Sequence, residues 1–147
     1  MDYWFYHLEH ASLEAVLPQL LEKTRAKGWR ALVKMSEGRL PEIDKYLWTY
    51  RDDSFLPHGR DDEPLSDRQP ICLTHIAAES GAAECVFLLD QTDVSFSSAA
   101  QRCIIIIEGQ KEASVAFERA RWKALKETDA TMSYWQQDDR GDWKKKA

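Results

Sequence analysis

The sequence predicts an α/β domain with a mostly parallel sheet, because short apolar runs alternate with segments of helical periodicity. Each run is four to six residues long, and most are continuously apolar, which is typical of strands buried on both faces beneath helices. We therefore expect a three-layer α/β/α arrangement around a central sheet of four to five strands. The candidate strands are residues 3–8, 31–35, 71–74, 85–89 and 103–107.

Three segments are predicted to be helices. Ser12 is a candidate N-cap before leucines at helical spacing, and Lys27-Gly28 supplies the basic last turn and terminal glycine typical of a helix end. Pro41 is suited to the first turn of a second helix that ends near Trp48. A third helix is expected over residues 111–126.

The length of 147 residues fits one domain. We place an α/β domain at residues 1–128 and a polar C-terminal extension at residues 129–147. Two tryptophans flank Asp139-Arg140-Gly141 within that extension, a pattern that favours a small hairpin, while a frayed charged terminus is the alternative.

Composition indicates a cytoplasmic protein without a membrane span. The longest apolar run is Cys103 with four isoleucines, far short of the roughly 20 residues that a span needs. Residues 1–4 are acidic and aromatic, unlike the basic start of a signal peptide. The three cysteines are widely spaced in apolar runs, as expected of reduced core thiols.

Charge is unevenly distributed along the chain. The net charge is −5, which disfavours wrapping of nucleic acid, yet residues 111–147 hold nine basic and seven acidic side chains. An acidic partner is therefore expected at the C-terminal quarter.

The motifs of nucleotide-binding and catalytic sites are missing. All six glycines are isolated, so neither phosphate-binding glycine motif can be written, and His7 and His10 lack the spacing of a zinc site. An enzyme on this scaffold, of a metal-dependent nuclease-like or nucleotide-handling kind, would have to use carboxylates near strand ends. The candidates are Asp90, Asp93 and Glu108, with Lys111 beside them.

A loop with large apolar side chains follows the second helix. Trp48, Tyr50, Phe55 and Leu56 flank three charged residues at positions 51–53. Loops normally lack such groups, so these side chains either fold back on the core or form a docking surface.

On the third helix, a spacing of 100° per residue predicts two faces. One face has small residues and is expected to pack on the sheet: Ala113, Ala116, Phe117, Ala120 and Ala124. The other is expected to point outward: Val115, Arg119, Trp122 and Lys126, with Lys123 at its edge. A tryptophan among cations suits recognition of a ligand with an apolar anchor and acidic groups. Coverage of Trp122 by Tyr134 or Trp135 is the alternative.

Two motifs resemble the chi subunit family of bacterial DNA polymerase III. One is Leu47-Trp48 followed by residues 54–58, Ser-Phe-Leu-Pro-His; the other is residues 119–125 on the last helix. The opening strand and Gly28-Trp29-Arg30 are similar to the family as well, so the resemblance spans essentially the whole chain.

The resemblance implies a Rossmann-like domain with no cofactor and no catalytic site, so any polymerase activity would belong to the whole holoenzyme. It implies an adaptor in DNA replication, a monomer within a larger complex, that meets DNA only indirectly. Its partners would be the acidic, Phe-terminated tail of single-stranded DNA-binding protein and the clamp loader, through psi or another subunit.

Carried over by position, the tail-binding residues would be Trp48, Arg119, Trp122, Lys123 and Lys126, with Val115 helping to receive the terminal Phe. The segment Phe55, Leu56, Pro57 and His58 would lie near this site or support the clamp-loader contact.

This chain departs from the family in the acidic residues within 60–69 and in a longer tail after Asp129. A third interpretation is direct nucleic-acid binding by the basic terminus, with Trp135 and Trp143 as stacking platforms.

Overall fold

The computed structural model describes residues 1–49, 56–61, 63 and 69–147. Within this part of the chain, one sheet of eight strands is accompanied by three helices. In chain order the elements are β1 (Asp2–Leu8), α1 (Leu13–Ala26), β2 (Ala31–Lys34), α2 (Leu40–Thr49), β3 (Gly59–Arg60), β4 (Ile71–Thr74), β5 (Cys85–Leu88), β6 (Arg102–Glu108), α3 (Glu112–Lys126), β7 (Thr131–Gln137) and β8 (Trp143–Lys145).

The predicted α/β class and mostly parallel sheet are confirmed. The strand order is β3-β4-β2-β5-β6-β1-β7-β8, and every neighbouring pair is parallel except β7 and β8. The predicted count of four to five strands is wrong, because β3, β7 and β8 join the five apolar strands. These three are short or polar, so their pairing rather than their composition makes them strands. The order also differs from the 3-2-1-4-5-6 of a Rossmann sheet.

The residues that were predicted to start and end the first two helices are found at the helix ends. Ser12 caps α1, where its hydroxyl accepts a hydrogen bond from Ala15 N at 3.2 Å. The helix ends at Ala26 with Lys27 as its C-cap, and Gly28 follows with a φ of 77°, the left-handed conformation that glycine adopts readily. Pro41 occupies the first turn of α2, where its missing N–H costs nothing.

Alternating side chains divide the core between the two faces of the sheet. Residues of α1 and α2 pack on one face with Tyr6, Val33 and Phe87. Residues of α3 pack on the other face, which we call the α3 face, with Phe5, Ile105 and Ile107. Both faces of the central strands are therefore buried, which explains their continuous apolarity.

The last helix turns a different side to the sheet from the one predicted. Its buried residues are Ser114 and Glu118, whereas the small-residue set that we expected to pack on the sheet is exposed. Val115 and Trp122, expected to face outward, are half-buried in the core of the α3 face. The aromatic ring of Trp122 buries far more apolar surface than alanines can, and this outweighs the close approach that a small-residue face allows.

Several buried residues are polar or ionisable, among them a glutamate and two cysteines. Glu118 is 1% exposed, with Arg121 Nε 3.0 Å from one carboxylate oxygen. All three cysteines are free thiols, Cys85 and Cys103 being buried, and burial raises the pKa of Cys72 to about 11 and that of Cys85 to about 12. Among the described residues, no helix is long and apolar enough to cross a membrane.

Gly109 offers a steric test of the contact between β1 and β6. A Cβ at this position would overlap the carbonyl oxygen of Leu8 and lie 2.6 Å from His7 Nε2. We expect Gly109→Ala to lower the free energy of unfolding by about 1–3 kcal/mol in urea denaturation, as overpacking does. Gly38→Ala is the matched control, since nothing lies within 4 Å of its added Cβ. Equal stability of the two variants would contradict this packing.

Glu118 predicts a pH dependence of stability. Burial raises the pKa of its carboxyl from 4.5 to about 7, although Arg121 lowers it. A raised folded-state pKa means that the folded state binds the proton more tightly, so the contribution of Glu118 to stability is fully present below pH 4.5 and is lost as pH rises through about 7. Urea denaturation at several pH values should show a loss on the order of 2–3 kcal/mol across this range. The loss should be absent in Glu118→Gln; an unchanged slope in that variant would assign the dependence elsewhere.

Candidate functional site

A pocket opens on the α3 face at the boundary between α3 and the sheet. Its volume is about 210 Å³, and it is lined by Ile107 of β6, by Tyr134 of β7, and by Val115, Arg119 and Trp122 of α3. The three helix residues are spaced i, i+4 and i+7, so they form one stripe along α3. An apolar pocket with a cation in its wall suits an apolar group that carries a negative charge.

Trp122 is held in place by aromatic contacts. Its ring lies edge-on to Phe5 at 5.1 Å and to Tyr134 at 5.5 Å between centroids. Tyr134 thus covers part of Trp122, as the alternative interpretation expected. Trp135 does not, because it stacks on Trp4 in the opposite face of the sheet. The packed indole forms a preformed pocket wall.

The polar edge of the pocket is built by β1 and β7. The hydroxyl oxygen of Tyr134 lies 2.5 Å from His7 Nδ1. Burial lowers the pKa of His7 and raises that of Tyr134, so both side chains favour their neutral forms. The Arg119 guanidinium acts electrostatically on both groups, lowering both pKa values. Its positive charge therefore stands beside neutral hydrogen-bonding groups, where a carboxylate would be favoured.

The other predicted cations of α3 lie on the same helix, towards its C-terminal end. Arg119, Lys123 and Lys126 are exposed, and Lys126 Nζ lies 5.4 Å from the centroid of the Trp122 ring. The structure thus brings together Val115, Arg119 and Trp122 in the wall, with Lys123 and Lys126 further along the same helix.

Trp48 lies elsewhere. It lies in the last turn of α2, which packs on the opposite face from α3, and its ring centroid is 4.3 Å from that of His58. The two predicted tail-binding regions therefore lie on different faces of the sheet.

His58 is buried and anchors the loop beneath Trp48. Its Nδ1 donates a hydrogen bond to the carbonyl oxygen of Leu56 at 2.7 Å, and its Nε2 lies 3.0 Å from Asp44 Oδ1. Leu56 folds back into the core, whereas Trp48 remains 50% exposed. Pro57 is half-buried between Leu56 and His58. Tyr50 and Phe55 lie outside the described residues, so the interpretation of their side chains stays a prediction.

The strand-end carboxylates take part in a network around one arginine. Arg39 Nη2 donates to both carboxylate oxygens of Glu108 at 3.0 Å and lies 3.2 Å from Asp90 Oδ1. Lys111 Nζ is 3.0 Å from Glu108 Oε2. Asp93 Oδ1 accepts a hydrogen bond from the backbone N–H of Val94. Among the described residues, no three His, Cys, Asp or Glu side chains converge as a metal site.

Two of the five residues that line the pocket, Ile107 and Tyr134, are not predicted as binding residues by the sequence. The sequence indicates Ile107 only as part of a buried strand, His7 only as a candidate metal ligand, and Tyr134 only as a cover for Trp122. The sequence of β1 is the one indication of these missing residues, because an aromatic strand in the middle of a sheet needs a paired strand on each edge. The polar sequence of β7 does not show that β7 is one of those two paired strands.

Two comparisons with known proteins bear on this arrangement. A family model described as DNA polymerase III chi subunit, HolC, matches residues 1–133. A curated protein of Rickettsia prowazekii (strain Madrid E), named probable DNA polymerase III subunit chi, is 25% identical over 91 residues. That match covers 61% of this chain and 55% of the relative, so the aligned part spans about half of the relative's length. Because the family model covers most of the chain, this protein belongs to the DNA polymerase III chi subunit family.

Proposed function

We propose that this chain is a non-catalytic adaptor of the bacterial DNA polymerase III holoenzyme, which binds the acidic C-terminal tail of single-stranded DNA-binding protein. Membership of the chi family supports a replicase accessory role. The observation that carries the finer proposal is the pocket of Val115, Arg119, Trp122, Ile107 and Tyr134.

The chemistry of the pocket matches such a tail. A terminal phenylalanine ring fits between Trp122 and Val115, where it loses its contact with water. Its α-carboxylate then lies beside Arg119, a residue suited to bidentate carboxylate binding. Acidic residues upstream meet Lys123 and Lys126, each exposed pair contributing about 0–1 kcal/mol.

The absence of catalysis is part of the same proposal. Asp90 and Glu108, which an enzyme on this scaffold would use, are both engaged by Arg39. Their positions are explained by ion pairing that connects the ends of β5 and β6 to the start of α2. Polymerase activity would accordingly belong to the assembly and not to this chain.

A second surface supports the link to the clamp loader. Trp48 is 50% exposed above a buried His58, and a large aromatic side chain on a rigid base is typical of a binding hot spot. We infer that this surface, on the opposite face from the pocket, contacts psi or another clamp-loader subunit. One chain could then hold two partners at the same time.

The peptide proposal is tested by fluorescence titration with a synthetic peptide ending in Asp-Ile-Pro-Phe. Arg119→Ala removes the carboxylate partner and Trp122→Ala removes the apolar wall, so each variant should bind at least about tenfold more weakly, or 1.4 kcal/mol. Binding by the wild type should weaken as salt is added.

Arg25→Ala is the matched control for that titration, because Arg25 is an exposed arginine of α1 on the opposite face. It should keep wild-type affinity. Circular dichroism must show that Trp122→Ala remains folded, and Trp122→Phe should retain part of the affinity. No binding by the folded wild type, or an equal loss in Arg25→Ala, would refute the site.

Trp48→Ala should separate the two surfaces. We expect the tail peptide to bind this variant within about twofold of wild type, because Trp48 is not part of the pocket. The same variant should fail to co-elute with psi in size-exclusion chromatography, whereas Trp122→Ala should still do so. The assignment is wrong if Trp48→Ala loses the peptide and keeps psi.

A further inference from the structure

We propose that Lys144 and Lys146 form a second cationic wall of the pocket, opposite α3, so that acidic residues upstream of a bound terminal apolar residue lie between the two walls. This inference rests on the proposed peptide-binding function and extends it to the acidic part of the ligand.

The register of the C-terminal strand places these two lysines. Lys144 pairs with Gln136, and Lys146 N donates a hydrogen bond to Tyr134 O at 2.7 Å. Paired residues of neighbouring strands share a face, and successive residues of a strand alternate between faces. Lys144 therefore lies on the α3 face beside Gln136. Lys146, the first residue after β8, continues this alternation beside Tyr134, which lines the pocket and whose own N–H donates a hydrogen bond to the carbonyl oxygen of the next residue, Ala147.

Lys145 lies on the other face by the same rule. It pairs with Trp135, whose ring stacks on Trp4 away from α3. The run of three lysines is thus divided, with two on the side of the pocket and one behind the sheet.

The two walls are separated by an aromatic floor. Tyr134 lies between Trp122 of α3 and the backbone of Lys146, which is one strand spacing away, about 4.8 Å. Arg119, Lys123 and Lys126 stand on the α3 side and are exposed. A chain that leaves the pocket across Tyr134 would pass between cations on both sides.

Existing contacts leave the second wall accessible. The Lys144 side chain is 58% exposed and its Nζ is 4.0 Å from Asp138 Oδ2, so this pair is weak and readily exchanged. Glu9, held by Gln136 Nε2, places a negative charge at the carboxyl end of β1. That charge disfavours a path of an acidic peptide over β1 and favours one between α3 and β8.

The test compares two peptides with the same terminus, Asp-Asp-Asp-Asp-Ile-Pro-Phe and Ser-Ser-Ser-Ser-Ile-Pro-Phe, by calorimetric titration at low salt. The variants are Lys144→Ala/Lys146→Ala and, as the matched control, Lys145→Ala. Two exposed ion pairs are lost in the double variant, so it should bind the aspartate peptide about fivefold more weakly. It should bind the serine peptide like wild type, and Lys145→Ala should bind both peptides like wild type.

Each other outcome overturns the inference in a distinct way. If the double variant retains full affinity for the aspartate peptide, β8 takes no part in recognition, although the pocket itself stands. If Lys145→Ala loses as much affinity for the aspartate peptide as the double variant, the loss reflects the lower net positive charge and not the position of Lys144 and Lys146 on the α3 face. If neither peptide binds wild type, the proposed function fails as well.

Discussion

The parallel pairing of β1 with a strand on each edge is the constraint on which the pocket depends. β1 is matched residue by residue with β6 and with β7, so its side chains are fixed in direction along nearly the whole strand. Phe5 and His7 consequently face α3, while Trp4 and Tyr6 face the other way. Phe5 supports Trp122 and His7 contacts Tyr134, so β1 contributes both to the support of the pocket wall and to its polar edge.

This arrangement also explains why the candidate binding residues of α3 lie at the boundary between the helix and the sheet. Ser114 and Glu118 are buried against the sheet. The stripe of Val115, Arg119 and Trp122 lies beside them on the surface of the helix. A stripe in this position can hold an indole in the core and a guanidinium in solvent at the same time. The exposed alanines on the far side are good helix formers that need no partner.

Much of the fold could be predicted from the sequence, because local signals and burial agree in its first two thirds. The Ser12 cap, the glycine after α1 and the apolar runs each have a direct physical cause in the residues concerned. The pairing of β7 with β1 could not be predicted in this way, since a local hairpin pattern does not indicate that the segment joins a free edge of β1. The inward side of α3 was mispredicted because periodicity identifies which residues share a face and does not say which face meets the sheet.

The candidate site was predictable in part for the same reason. Arg119 and Trp122 followed from their spacing on one helix, whereas Tyr134 and Ile107 join them only through the topology of the sheet. Trp48 was grouped with them by resemblance, yet its helix lies on the opposite face. A surface assembled from distant segments requires knowledge of the strand order, which no local pattern supplies.

The most direct test of this account uses the six tryptophan indole N–H signals in a ¹H–¹⁵N spectrum, recorded as the acidic peptide ending in Phe is added. We predict a large, saturable shift of the Trp122 signal, while the signals of Trp48 and Trp29 stay in place. A saturable shift of Trp48 with Trp122 unmoved would contradict the account, because it would place the peptide on the opposite face of the sheet.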